Sequence, residues 1–271
     1  MTAPDAEEPI AMELPKSLKA ARRGPVAHLR LARPEKRNAL DDQTVLGLET
    51  FFTRLPDDIR AVVLSGEGEH FSAGLDLSEV VELPDPLERV LHSRMWHRAF
   101  AAIEFGRAPV VAALHGAVVG GGLELAASAH IRVAERSAYY ALPEGQRGIF
   151  LGGGGTVRIA RLIGAARVQD LMLTGRTLSA EEGLQAGASQ YVVDDGKGLE
   201  TAMAVAAKAA SNTPTTNFAV LHALPRISES DPASGLLTES LMAAIAEMSP
   251  EARQRLADFL EKRAAKVLRQ S

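Results

Sequence analysis

A glycine triplet followed by a glutamate, Gly120-Gly121-Gly122-Leu123-Glu124, is the segment whose residue types and spacing are best suited to chemistry. The apolar run before it, residues 109–114, predicts a buried strand, and the residues after it predict the first turn of a helix. Three glycines let the backbone approach a ligand with its amides exposed, and the start of a helix adds a positive dipole end. Amide donors for an oxyanion beside a titratable carboxylate, Glu124, are the components of a reaction centre.

Each of these features also has a simpler explanation when it is taken alone. A glycine triplet suits a tight strand-to-helix connection, and the helix dipole by itself favours a glutamate in a first turn. A phosphate-binding loop is not expected, because neither this triplet nor Gly152-Gly153-Gly154-Gly155-Thr156 is followed by the required lysine. The functional interpretation therefore depends on other segments.

Composition limits the classes of function. The 271 residues include 30 basic and 34 acidic side chains, and the net charge of −4 gives no general footprint for nucleic acid. The absence of cysteine excludes disulfides and thiolate chemistry and fits a reducing compartment. The longest uncharged run is too short to span a bilayer, and the N-terminal residues lack the apolar segment of a secretory signal. We therefore expect a cytoplasmic protein with no membrane or nucleic-acid partner.

Alternating apolar strands and helices predict an α/β architecture with a mostly parallel, buried sheet. The expected strands cover residues 26–31, 60–65, 110–114, 130–134 and 138–142, and the expected helices cover 41–55, 86–105 and 122–129. Residues 1–23, acidic and then basic, predict a disordered extension before a core at 24–199. Residues 200–271 predict a helical region. Its last helix carries an apolar stripe that needs burial on the core or on another subunit, namely Leu256, Phe259, Leu260, Ala264 and Val267.

Two further segments complete a resemblance to a known family. Phe71-Ser72-Ala73-Gly74-Leu75-Asp76-Leu77 follows a predicted strand, and Ala141-Leu142-Pro143-Glu144-Gly145 supplies a second glutamate. Together with the glycine triplet, they resemble the crotonase superfamily, the enoyl-CoA hydratase/isomerase family. The resemblance extends over residues 25–267. It implies a crotonase-like spiral of β-β-α units with a C-terminal helical oligomerisation region, assembled as a homotrimer or a dimer of trimers.

The resemblance also implies an enzyme that acts on acyl-CoA thioesters in fatty acid metabolism. The backbone amides of Leu75 and Gly121 would form an oxyanion hole, and Glu124 and Glu144 would be the catalytic carboxylates. The residues implied in binding substrate and CoA are Lys36, Arg37, Ala39, Ala73, Leu75, Asp76, Leu77, Gly120 and Gly121. Coenzyme A enters as part of the substrate, so no separate cofactor is expected. No metal is expected either, because no cluster of histidines and carboxylates has ligand spacing.

The presence of both glutamates favours a hydratase, a hydro-lyase that adds water to a 2-enoyl-CoA. The alternatives are an enoyl-CoA isomerase, another crotonase-type reaction (hydrolysis, carbon–carbon cleavage or decarboxylation), and a non-catalytic acyl-CoA-binding protein. Arg147 is either a surface residue or a partner for a polar acyl group or for Glu144, whose pKa it would then lower. Lys262 or Lys266 could reach the 3′-phosphate of CoA on a neighbouring subunit, and otherwise they are surface charges.

The predicted helix after the Leu75 segment contains three aromatic side chains, His92, Trp96 and His97. The resemblance implies that this helix lines the acyl pocket. We interpret all three, and also His115, as structural residues, because a lone histidine or tryptophan is more often packed than catalytic.

Overall fold

Ten strands occur within residues 7–78 and 85–261, the parts of the chain that this computed structural model describes. They are β1 (Glu8–Pro9), β2 (Leu18–Arg23), β3 (Val26–Leu31), β4 (Ala61–Gly66), β5 (Val110–Leu114), β6 (Ala117–Val119), β7 (Ile131–Glu135), β8 (Tyr139–Ala141), β9 (Thr177–Ser179) and β10 (Tyr191–Val193). The helices are α1 (Asp42–Thr53), α2 (Pro86–Glu104), α3 (Gly121–Ser128), α4 (Gly155–Ile163), α5 (Ala165–Thr174), α6 (Ala180–Ala186), α7 (Gly198–Ser211), α8 (Pro214–Phe218), α9 (Leu224–Glu229), α10 (Pro232–Met248) and α11 (Pro250–Leu260). Short 3₁₀ turns cover Pro34–Lys36 and Gly145–Arg147, and a π-helical turn covers Ala219–Ala223.

The strands form two sheets. The larger has the order β1-β2-β3-β4-β5-β7-β10, and the smaller has the order β6-β8-β9. From β3 to β10 the larger sheet is parallel, as expected for strands that are apolar on both faces. The chain passes from β5 in the large sheet to β6 in the small sheet and then into α3, which is a β-β-α unit. Because β7 and β8 repeat this passage, the small sheet brings the ends of β6 and β8 together.

The N-terminal segment differs from the expectation of disorder. Residues 18–23 form β2, which pairs antiparallel with β3 from Leu18↔Leu31 to Arg23↔Val26. The basic residues of this strand are neutralised by carboxylates distant in the sequence: Lys19 Nζ lies 2.8 Å from Glu67 and Arg22 Nη1 lies 2.7 Å from Asp58. The prediction was therefore wrong for residues 18–23, since local charge cannot reveal these partners. Residues 1–6 lie outside the described residues.

The C-terminal boundary also differs from the expected one at residue 200. The chain divides into two compact units, residues 1–210 and 211–271. Most of α7 belongs to the first unit because Ala202, Ala206 and Ala210 pack against buried valines and alanines of the large sheet. The second unit contains α8 to α11.

Candidate active site

The junction between β6 and α3 requires its glycines for two separate reasons. Gly120 has a φ of +54°, and a Cβ there would lie 2.5 Å from Glu144 Oε1. A Cβ at Gly121 would lie 2.9 Å from the Trp96 ring, so the indole packs directly on the backbone. The carbonyl of Gly120 accepts hydrogen bonds from the amides of Leu123 and Glu124, which starts the helix. The triplet is therefore both a close approach of backbone and the beginning of α3.

Two backbone amides at this junction point away from their own secondary structure. Leu75 forms an isolated bridge with Leu40, in which the Gly74 carbonyl and the Asp76 amide make the hydrogen bonds. Within the described residues, neither the Leu75 amide nor the Gly121 amide has a protein acceptor. The two lie close together, since a Cβ built on Gly121 would be 3.1 Å from Leu75 N. They are a pair of adjacent, unsatisfied donors.

The loop that carries Leu75 is held by Asn38, a residue that the sequence analysis did not select. Asn38 is 1% exposed and has a φ of +53°. Its Nδ2 donates to the carbonyls of Glu67 and His70 at 2.9 and 2.7 Å, and its own carbonyl accepts from Ser72 Oγ at 2.8 Å. Ser72 Oγ in turn accepts from the Gly74 amide. These contacts fix the backbone immediately before Leu75.

Glu124 is 3% exposed, and its carboxylate is held by the glycine loop, residues 152–155. Oε1 accepts hydrogen bonds from the amides of Gly153 at 2.9 Å and Gly155 at 2.7 Å. Burial raises the pKa of Glu124 to about 7, with a smaller contribution from the charge of Glu144. The two amides and the charge of Arg158 act in the opposite direction. A carboxyl with a pKa near neutrality can both give and take a proton.

Glu144 follows β8 and is 7% exposed. Its Oε2 is buried and has no hydrogen-bond partner among the described residues. Burial raises the pKa of this carboxyl, and the charge of Arg147 opposes the shift without cancelling it. Arg147 is exposed, and within the described residues its guanidinium makes no ion pair with the Glu144 carboxylate.

These groups surround one cavity of about 390 Å³. The predicted site residues that line it are Ala73, Leu75, Leu77, Gly120, Gly121, Glu124 and Glu144. The other lining residues are Arg89, His92, Ser93, Trp96, Arg147, Ile149, Phe150, Leu151, Gly152 and Gly153. The sequence thus located both amide segments and both carboxylates, but it did not indicate that the amides of Gly153 and Gly155 hold Glu124.

Four predicted binding residues lie beside the cavity rather than in its lining. Lys36 and Arg37 are exposed at the 3₁₀ turn, and neither side chain pairs with a described carboxylate. The Arg37 carbonyl accepts from the Ala73 amide at 2.9 Å, which connects this turn to the Leu75 loop. The carbonyl of Ala39 and the carboxylate of Asp76 both accept from Arg33, so Asp76 is engaged within the protein.

The remaining aromatic residues considered from the sequence have structural contacts. His92 Nε2 lies 2.7 Å from Asp42, and His115 Nε2 lies 3.0 Å from the Gly68 carbonyl. Burial lowers the pKa of His97, and the charge of Arg158 lowers it further. Trp96 packs edge-on against Phe100 at a centroid distance of 5.5 Å. Lys262 and Lys266 lie outside the described residues.

Within the described residues, no group of three or more histidines and carboxylates could hold a metal ion. No helix there is long and apolar enough to cross a membrane.

The arrangement can move protons next to a bound carbonyl. Two adjacent amides can hold an oxygen on which negative charge develops, which is typically worth about 3–4 kcal/mol for each donor. Two carboxyls with raised pKa values face the same space and can exchange protons with the atoms next to that carbonyl. The cavity wall is mostly apolar, which suits an acyl chain.

Comparisons with known proteins agree with this geometry. A family model described as enoyl-CoA hydratase/isomerase matches residues 21–269. The chain is 32% identical to the short-chain-enoyl-CoA hydratase of Clostridium acetobutylicum, over 89% of this chain and 93% of that protein. A crystal structure from Rhodopseudomonas palustris, provisionally named an enoyl-CoA hydratase, is 54% identical, with a TM-score of 0.90 over 95% of this chain and all of that one. The enoyl-CoA hydratase of Bacillus anthracis is 31% identical, with a TM-score of 0.85 over 91% of this chain and 96% of its own. The α/β fold expected from the resemblance, with its helical C-terminal region, is confirmed.

Proposed function

The chain belongs to the enoyl-CoA hydratase/isomerase family, and we propose that it is a hydro-lyase that adds water to a 2-enoyl-CoA thioester. The observation that carries the proposal is the presence of both buried carboxyls, Glu124 and Glu144, in one cavity with the amides of Leu75 and Gly121. Hydration needs a proton removed from water and another delivered to carbon. Two carboxyls can do both, whereas a double-bond shift needs only one.

In the proposed reaction the thioester oxygen accepts hydrogen bonds from the amides of Leu75 and Gly121. Glu124, in its carboxylate form, takes a proton from a water molecule as the water oxygen bonds to C3. The electron pair of the double bond moves towards the thioester, and the enolate-like oxygen is held by the two amides. Glu144, in its acid form, delivers a proton to C2, so the net change is addition of one water.

The protonation states that this reaction needs are compatible with the environments of the two groups. The two hydrogen bonds on Glu124 Oε1 favour its ionised form, which is the base. Glu144 has a buried oxygen without a described partner, which favours its neutral form, the acid. At neutral pH a Glu124 carboxyl with a pKa of about 7 is partly ionised, as the base role requires, and burial raises the pKa of Glu144 towards the acid form that its role requires.

CoA binding is part of the same proposal. Lys36 and Arg37 are cations beside the loop of Ala73 and Leu75, without a described carboxylate partner, and they would contact the CoA phosphates. The proposed assembly is a homotrimer or a dimer of trimers.

The test is a panel of 2-enoyl-CoA thioesters, beginning with crotonyl-CoA. Hydration removes the conjugated double bond, so ultraviolet absorbance should fall on addition of the enzyme, and mass spectrometry should find a product heavier by one water. A shifted double bond at unchanged mass would indicate an isomerase, and free CoA would indicate hydrolysis. Binding of every thioester by calorimetry without turnover would indicate a non-catalytic binder and would contradict the proposal.

A further inference from the structure

A chain of polar contacts connects Glu124 to Arg158 through Gly153. The Gly153 amide donates to Glu124 Oε1 at 2.9 Å, and the Gly153 carbonyl accepts from Arg158 Nη1 at 3.1 Å. One glycine therefore connects the guanidinium of Arg158 to the carboxylate of Glu124. Arg158 is not among the residues that line the cavity.

Arg158 is itself held in place. Its Nε donates to Glu104 Oε2 at 2.6 Å, and the two side chains are 11% and 18% exposed. Glu104 ends α2, and its carbonyl accepts from His130 Nε2, whose Nδ1 accepts from the Val110 amide. A largely buried ion pair contributes little to stability after desolvation. The ion pair is better explained by the orientation it gives to Arg158, whose guanidinium donates to the Gly153 carbonyl of the glycine loop.

The glycine loop has no side chains of its own, so contacts from residues outside the loop are needed to hold its backbone in place. Residues 152–155 are four consecutive glycines, and Gly154 has a φ of +96°. Glycine has the largest conformational freedom of any residue, so this backbone has little intrinsic rigidity. A Cβ at Gly154 would meet Arg158 Nη1, so the loop backbone packs closely on the guanidinium.

We propose that Arg158 is a positioning residue for Glu124: anchored by Glu104, it fixes the Gly153 carbonyl and thereby the two amides that hold the catalytic carboxylate. The proposal rests on the proposed function in one respect, that Glu124 is the group that takes the proton from water. The link from Arg158 to the loop does not depend on the reaction.

The charge of Arg158 gives the proposal a measurable signature. The charged groups that act on Glu124 are Glu144, which raises its pKa, and Arg158, which lowers it. Two residues of α2 interact with Arg158. Glu104 forms an ion pair with it, and the pKa of His97 is lowered by its charge. Removing the guanidinium should therefore raise the pKa of Glu124 and move the acidic limb of the pH profile of kcat/KM to higher pH.

The first variant is Arg158→Met, which keeps the length of the side chain and removes its charge and donors. We expect kcat to fall by about 10²-fold, the loss typical of a catalytic group displaced by about 1 Å. KM should change little, because Arg158 does not line the cavity. Arg158→Lys restores the charge without the planar fork, so the acidic limb should return towards wild type while kcat stays low.

Arg161→Met is the matched control. Arg161 lies on the same helix and contacts the same carboxylate, with Nη1 at 3.5 Å from Glu104 Oε1, but its side chain is 44% exposed, against 11% for Arg158. Its removal should leave kcat and the pH profile unchanged. If Arg158→Met loses thermal stability but keeps the wild-type kcat per folded molecule and the wild-type pH limb, Arg158 is merely structural and the proposal is wrong.

A readout independent of activity separates this inference from the proposed function. Hydrogen-exchange mass spectrometry of a peptide spanning residues 149–157 should show faster exchange in Arg158→Met than in wild type or Arg161→Met. Unchanged exchange overturns the positioning role even if the enzyme is a hydratase. If exchange is faster in the variant but the protein hydrates no enoyl-CoA, the proposed function is wrong and the link between Arg158 and the glycine loop stands. If Arg158→Met does not fold, Arg158→Lys carries the comparisons of kcat and of hydrogen exchange.

Discussion

The two carboxyls of the cavity share burial but differ in what holds them. Glu124 accepts two backbone hydrogen bonds on one oxygen, whereas Glu144 leaves a buried oxygen without a described partner. The sequence analysis selected Glu124 because it follows the glycine triplet at the start of a predicted helix, and Glu144 because it follows a short predicted strand. It could not reveal the difference between them, because the amides of Gly153 and Gly155 reach Glu124 only through the tertiary fold.

Replacing either glutamate by glutamine keeps the size of the side chain and removes its titration. We expect Glu124→Gln and Glu144→Gln each to lower kcat on the true enoyl-CoA by about 10²–10⁴-fold, the usual contribution of general acid–base catalysis. Binding of the thioester, measured by calorimetry, should survive. Glu88→Gln, an exposed glutamate in the first turn of α2, is the control. Full activity of Glu124→Gln alone would favour an isomerase that uses one glutamate.

The raised pKa of Glu124 also has a consequence for stability. The pKa is about 7 in the folded protein, against an ordinary value of 4.5. Between these values the folded state binds more protons than the unfolded state, so the free energy of unfolding falls as pH rises through this window. Above pH 7 the full cost of the buried charge is present, on the order of a few kcal/mol.

Glu124→Gln should therefore stabilise the protein at pH 8 and have much less effect at pH 5. Urea unfolding of wild type and variant at both pH values measures the difference. An equal change in the free energy of unfolding at both pH values would show that Glu124 titrates normally.

At the scale of elements, long apolar segments were predictable, whereas most short or charged ones were not. The bounds of β3 and β5 agree with the sequence prediction, and α2 differs from it by one residue at its end. β9 and β10 have three residues each, too few to show a periodic pattern, and no strand was predicted for either. β2 was missed because its charges suggested disorder, although their partners lie in other elements.

Asn38 is the clearest case of a residue whose role depends on connections between elements. Asn38→Ala leaves two carbonyls and the Arg33 amide without partners in a buried site, and each such group costs about 1–3 kcal/mol. At the lower end of this range, three such groups give an expected loss of about 3 kcal/mol in the free energy of unfolding, together with lower kcat because the Leu75 loop is released. Urea unfolding and steady-state kinetics measure both, with exposed Glu35→Ala as the control. Lower stability with wild-type kcat would mean that Asn38 does not position the loop.

At the scale of the whole molecule, the C-terminal unit exposes a large apolar surface. In α10 the exposed apolar residues Leu237, Leu241, Ile245 and Met248 recur at helical spacing along one face. In α11, three residues of the predicted apolar stripe, Leu256, Phe259 and Leu260, are more than half exposed, while Ala264 and Val267 lie outside the described residues. Monomers rarely leave contiguous apolar surface uncovered, so the proposed assembly would place this surface in contact with other copies of the chain.

Analytical ultracentrifugation should find a trimer or a hexamer at micromolar concentration. The double change Leu241→Glu and Ile245→Glu places charges on the exposed face of α10 and should produce smaller species with unchanged circular dichroism. Glu239→Lys, on the opposite face by helical spacing, should leave the assembly intact. A monomeric wild-type protein would contradict the proposed assembly.

The position of Trp96 makes the cavity observable by its own fluorescence. It is the only tryptophan in the chain, it lines the cavity, and its ring packs against Gly121, whose amide is one of the two proposed oxyanion donors. All of the tryptophan fluorescence of the protein therefore comes from a residue in the wall of the proposed site. Acyl-CoA binding should shift or quench this emission, so the dissociation constants of inactive glutamine variants become measurable by titration without a label.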